Sequence, residues 1–141
     1  MPVWVWLLLG AVVVGVLASA TLVSRARRRR TWRDQLVAAE AEVTWFARDL
    51  AVRLRASSYA GVVGGWQGAG PRVAAVEDRL TVLGSAAPTE PDSRRAMQLR
   101  DGVRGARDRM EALVRPGPHD DWASVLDEVR AVLEAALEPR R

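Results

Sequence analysis

From Val3 to Val23 the chain carries no charged side chain, and Arg25-Ala26-Arg27-Arg28-Arg29-Arg30 follows almost at once. No other feature restricts the fold so strongly. As a helix the uncharged run is about 31 Å long, against a bilayer hydrocarbon core of about 30 Å. Twelve of its residues are Val or Leu, and only Ser19 and Thr21 are polar apart from glycine. In lipid a single span must satisfy its backbone N–H and C=O groups internally, so a helix is expected. Residues 1–24 therefore read as a transmembrane anchor and 25–33 as an arginine-rich juxtamembrane segment. Trp4 and Trp6 lie at one end of the run and Trp32 just past the other, where an amphipathic indole suits the membrane–water interface.

A cleavable signal peptide is the rival reading, because Ala18-Ser19-Ala20 fits a small-x-small cleavage site. Against it, no positive residue precedes the apolar run in this sequence, and Arg25–Arg30 would cross the membrane directly after cleavage. Arg25, Arg27, Arg28, Arg29, Arg30 and Arg33 follow the span closely, so the positive-inside rule places the C-terminal part in the cytoplasm and the N-terminus outside. Ala11, Gly15 and Ser19 recur every four residues, a spacing that lets two membrane helices approach closely.

Charge is distributed very unevenly. All 17 acidic residues lie at or beyond Asp34, and six of the 21 arginines precede it, so the chain from Asp34 onward carries 15 − 17 = −2. The basic character of the whole belongs to one short run, which argues against a nucleic-acid-binding domain. That run reads instead as a topology signal and a contact for anionic lipid headgroups. Lysine and cysteine are both absent. Without cysteine there are no disulfides, no thiolate metal sites and no cysteine nucleophile. Arginine without lysine, amid much Ala, Val and Gly, resembles the codon usage of a GC-rich bacterial genome.

The remainder, 34–138, reads as a helical soluble domain in an all-α fold of about four amphipathic helices. Thr31–Tyr59 predicts a long first helix with Leu36, Ala39, Val43, Phe46, Leu50 and Leu54 on one face. Gly61 to Gly70 holds five glycines in ten positions and precedes Pro71, so 61–70 reads as a loop and Pro71 as the first turn of a short second helix. Val73, Val76, Leu80 and Leu83 would form its core face. Residues 84–91 predict a connector, with Thr89 and Asp92 spaced as an N-cap pair. The third helix shows the clearest repeat, Ala96, Leu99, Val103, Ala106, Met110 and Leu113. Flanking ion pairs are expected for Glu90–Arg94, Arg104–Asp108 and Arg107–Glu111. Gly102 and Gly105 weaken that helix and so suggest a closely packed neighbour. After a Pro-containing connector at 115–120, Asp120 or Asp121 caps a fourth helix that buries Trp122, Val125, Val129, Val132, Leu133 and Ala136.

Chemistry-bearing residues are sparse. His119, the sole histidine, sits in a Pro-Gly-Pro turn before Asp120 and Asp121 and reads as part of a capping turn rather than a base or a metal ligand. The glycine segment lacks the lysine of a phosphate-binding loop and contains no Gly-x-Gly-x-x-Gly. Adjacent carboxylates, Glu77-Asp78 and Asp127-Glu128, point to different sides of a helix and read as solvated surface. Neither a catalytic residue, a cofactor nor a metal is expected, and an enzyme or inter-helix ligand pocket ranks below the other readings.

Two features suggest interaction instead. Trp45, Val52 and Tyr59 repeat every seven residues opposite the core face of the first helix, which either buries two faces or presents an exposed strip; Trp66 either tucks back onto the bundle or joins these three in a candidate partner surface. Trp66-Gln67-Gly68, a Trp-x-Gly placed between two helices, resembles the WXG100 family of small secreted helical hairpins. That resemblance implies a turn at 66–68; the apolar anchor and the lack of a Tyr-x-x-x-Asp/Glu signal depart from the family pattern. The leading expectation is a non-enzymatic, membrane-anchored interaction module with lipid and unidentified protein partners, open to homo-oligomers and coiled-coil pairing. An envelope protein on the outer side of the membrane is the alternative.

Overall fold

A computed structural model describes residues 3–139, which are almost wholly helical and, among the described residues, contain no strand. The helices are α1 (Val3–Trp45), a π-helical turn (Phe46–Leu50), α2 (Ala51–Arg55), α3 (Tyr59–Ser85), α4 (Glu90–Leu113) and α5 (Trp122–Leu137). The chain divides into two compact units, Met1–Asp34 and Gln35–Arg141.

In the first unit the described side chains of the apolar run are exposed, among them Val12, Val13, Val14, Val16, Leu22 and Val23. A helix apolar on every face has no soluble core to point toward, and this one is long and apolar enough to cross a membrane. Ser19, Thr21 and Ser24 return their hydroxyls to carbonyls of the preceding turn, Gly15, Ala18 and Thr21 respectively. None of the three leaves a hydroxyl donor unsatisfied.

The second unit is an antiparallel bundle. Glu40 of α1 binds Arg95 near the start of α4, and Arg95 reaches the last carbonyls of α5. At the opposite end, Arg55 of α2 pairs with Asp127 of α5, and Tyr59 at the start of α3 donates to the Leu113 carbonyl at the end of α4. The helical segments therefore alternate in direction. The core joins Ala39, Val43, Phe46, Leu50 and Leu54 to Val62, Trp66, Val73 and Leu80, and these to Leu99, Val103, Met110, Leu126, Val129 and Leu133. A π turn is wider than an α turn. Here it turns two adjacent pairs inward, Phe46 with Ala47 and Leu50 with Ala51.

Helix α3 differs most from expectation. It is continuous from Tyr59 to Ser85, so 61–70 is not a loop and Pro71 lies inside the helix rather than in its first turn. Val62, Trp66, Ala69, Val73, Val76, Leu80 and Leu83 are all buried, in alternating steps of four and three. That stripe supplies enough burial to outweigh the low helix propensity of the glycines and Pro71. The first helix in turn ends at Arg55, and Ser58 caps α3 by accepting from the Gly61 N–H.

Helix α4 follows its sequence pattern: all six expected core residues are buried, and Thr89 accepts from the Asp92 N–H at 3.3 Å. Connectors are shorter than 84–91 and longer than 115–120, with α3 running to Ser85, α4 starting at Glu90, and non-helical chain from Val114 to Asp121. Gly102 is buried, and a Cβ there would collide with the Cβ of Ala136, so its absence lets α5 approach. The core line of α5 is Leu126, Val129, Leu133 and Ala136. Trp122, Val125 and Val132, expected inside, are only half-buried, because Leu126 rather than Val125 takes the inward position. Asp121 precedes α5 without a side-chain capping bond.

Candidate functional site

Two surfaces stand apart from the rest, one in each unit. In the first, Arg25, Arg27, Arg28, Arg29, Arg30 and Arg33 lie on uninterrupted helix and are all exposed. Among the described residues none of the six forms an ion pair. The second unit treats its arginines differently. Arg48 makes a two-pronged contact with Glu134, both bonds at 3.0 Å, Arg72 does the same with Glu42 at 2.7 and 3.0 Å, and Arg95 meets Glu40 at 2.8 Å. Trp4 is 61% exposed; the Trp6 side chain lies outside the described residues. Trp32 is 6% exposed. Ala11, Gly15 and Ser19 are exposed, with open space beside Gly15.

Glu77 overturns the expectation of a solvated carboxylate. It is 7% exposed and bridges two guanidiniums of α4, Arg104 at 2.7 Å and Arg107 at 3.0 Å. Burial pushes its carboxyl upward, but the hydrogen bonds and charges of Arg104 and Arg107 outweigh that and hold it below its ordinary value. Arg104 is thereby drawn to Glu77 and not to Asp108, whereas the expected pairs Glu90–Arg94 and Arg107–Glu111 form. Asp78, Asp127 and Glu128 are exposed, as expected, with Asp127 paired to Arg55 at the surface.

The four residues expected to make a partner strip do not share a face. Trp66 is 5% exposed and stacks on Phe46 with ring centroids 5.9 Å apart. It is a core residue, and the segment 66–68 is helix rather than the turn implied by the WXG100 resemblance. Tyr59 is half-buried, bonded to Leu113 and stacked on His119. Trp45 is half-buried under the Arg72 guanidinium, 3.7 Å from its ring centroid. Val52 alone is well exposed, at 43%. The seven-residue row fails because the π turn and the break at Ala56–Ser58 intervene.

What replaces the strip is the outer face of α3. Residues 56–71 contain no charged side chain, in a protein with 27% charged residues. Ala60, Gly61, Gly64, Gln67, Gly68 and Pro71 are exposed along it. Beside this face runs a groove of about 370 Å³, floored by Gly61, Gly65 and Gly68 and walled by Trp45, Leu54 and Arg72. Gly65 sits where a Cβ would come within 2.5 Å of Leu54 Cδ2, so internal packing accounts for it. Gly64 and Gly68 face open space. The signal for this surface was in the sequence: the core spacing of α3 runs back through the glycines to Val62.

His119 does not stand with a metal-binding group. Its ring stacks on Tyr59 and bonds the Arg115 carbonyl. No cluster of three or more His, Asp or Glu suited to a metal occurs among the described residues. The chain matches no family model, and neither a curated protein nor a solved structure is similar to it.

Proposed function

We propose that this chain is a single-pass, membrane-anchored helical interaction module whose bundle lies in the cytoplasm and which associates with a second copy of itself. The observation that carries the anchor is the apolar helix, exposed on its described faces and followed by six exposed arginines without carboxylate partners. Association is supported by the small, uncharged face of α3 and the groove beside it. Two such faces meet with little charge repulsion, because Arg53 and Arg72 at the groove are held by Asp49 and Glu42, and a two-fold arrangement would make the contact self-complementary.

Topology is tested on a protein that lacks cysteine. Ala112→Cys, at an exposed position of α4, supplies one thiol, and intact cells are treated with a membrane-impermeant maleimide. Labelling only after lysis is the expected result. Labelling of intact cells would reverse the orientation and move the protein to the envelope-facing class. Association is tested by sedimentation equilibrium of the full chain in detergent. A strictly monomeric species at every concentration would remove the self-association reading, and a stable complex with another protein instead would transfer the α3 face to that partner.

A further inference from the structure

We infer that Arg25–Arg33 is a binding collar for anionic phospholipid headgroups, engaged on all sides of the helix and selective over zwitterionic lipid. The inference rests on the membrane reading above and specifies what the arginines contact. Six guanidiniums fall within about 12 Å of helix axis. With about 100° of rotation per residue, no sector of the helix wider than about 100° lacks one. All six positions are exposed, and among the described residues none pairs with a carboxylate. In the bundle, by contrast, Arg48, Arg55, Arg72, Arg95, Arg104 and Arg107 each hold a carboxylate. The donors of the collar are therefore still available.

Position and shape select the ligand. The first arginine stands two residues beyond Val23, where the uncharged run ends, so a long flexible side chain reaches the headgroup layer. A guanidinium matches the two oxygens of a phosphate better than an ammonium would, and this collar contains no lysine. A nucleic-acid duplex or an acidic protein docks from one side and leaves the opposite arginines unmatched. Lipids surround a spanning helix, so they alone can meet guanidiniums pointing in every direction.

The test uses the full chain in phosphatidylcholine nanodiscs containing a minority of phosphatidylglycerol, with spin-labelled forms of each lipid reporting which one sits against the protein. Phosphatidylglycerol is expected to be favoured about five-fold per headgroup, the worth of one nearby guanidinium. The preference should collapse toward parity as the salt concentration approaches ~1 M, where the Debye length is ~3 Å. Changing all six arginines to glutamine should bring parity at every salt concentration while the protein stays in the nanodisc. Equal association of the two lipids with the wild type would overturn the inference, as would a preference that survives in the glutamine variant. Displacement of phosphatidylglycerol by an added DNA duplex would overturn it in favour of nucleic acid. A wild-type chain that does not enter nanodiscs at all would instead sink the anchor, a different and separable failure.

Discussion

Gly102 and Glu77 each show how a single side chain decides local packing. Because a Cβ on residue 102 would overlap that of Ala136, Gly102→Ala must push α4 and α5 apart. Overpacking of this kind costs about 1–3 kcal/mol, more than the gain in helix propensity of up to about 1 kcal/mol. The variant should therefore unfold at lower urea than the wild type, and an unchanged midpoint would mean the helices are not in contact there. Glu77 makes a statement about pH. Its carboxyl is held below its ordinary value by Arg104 and Arg107 despite burial, so folding favours the charged form. That contribution is fully present above the unfolded value near 4.5 and disappears as pH falls through the lower folded value. Glu77→Gln should accordingly lower the Tm at neutral pH, by the equivalent of about 1–3 kcal/mol for its charge-assisted hydrogen bonds. Its deficit should shrink as the solution is acidified below pH 4.5. Tm curves for the two proteins that run parallel down to strong acid would show that the bridge is not formed.

Among the elements, α3 carries the sharpest conflict between propensity and tertiary structure. The five glycines from Gly61 to Gly70 cost it roughly 1 kcal/mol each relative to alanine, and an interior proline about 3 kcal/mol more. Packing explains Gly65 against Leu54 and gives Gly70 a neighbour in the Trp66 ring, but Gly64 and Gly68 face open space. The double change Gly64→Ala, Gly68→Ala should therefore stabilise the isolated chain, by up to about 2 kcal/mol in chemical denaturation. If the α3 face is a contact between copies, the same change should weaken self-association, because added methyl groups hold the partner backbone away. A gain in stability with unaltered association would separate these glycines from any interface. Helix α4 posed a milder conflict, two glycines and no proline past its first turn: Ala96, Leu99, Val103, Ala106, Met110 and Leu113 repeat regularly, and the Thr89 cap marks the start, so its reading from sequence was correct nearly to the residue. In α3 the equally regular line from Val62 to Leu83 was present but overridden by local glycine and proline signals, which speak about propensity and not about burial. The π turn was not legible either, since Trp45–Val52–Tyr59 keeps a seven-residue spacing that ignores one widened turn. Ion pairs between helices, Arg104 with Glu77 above all, depend on which faces meet, and an i,i+4 rule can name only partners on the same helix.

Taken whole, the molecule separates its two kinds of surface along the chain. An apolar, lipid-sized helix and an arginine collar occupy the first unit, and the second has a dense net of charges that largely cancel one another. This division was plain from the sequence, because charge and length are properties of composition that need no tertiary partner. The order of contacts within the bundle has a further consequence. Helix α3 packs on α4 and α4 on α5, each against its neighbour in the chain, whereas the π turn and α2 pack on α5, a helix made well after them. At elongation rates of about 5–20 residues per second, the eighty-odd residues that separate Phe46 from Leu133 take roughly 4–17 s to synthesise. Throughout that interval Phe46 and Leu50 lack the helix that completes their cover. A ribosome stalled before α5 would thus leave a nascent chain with an open greasy seam along Phe46 and Leu50.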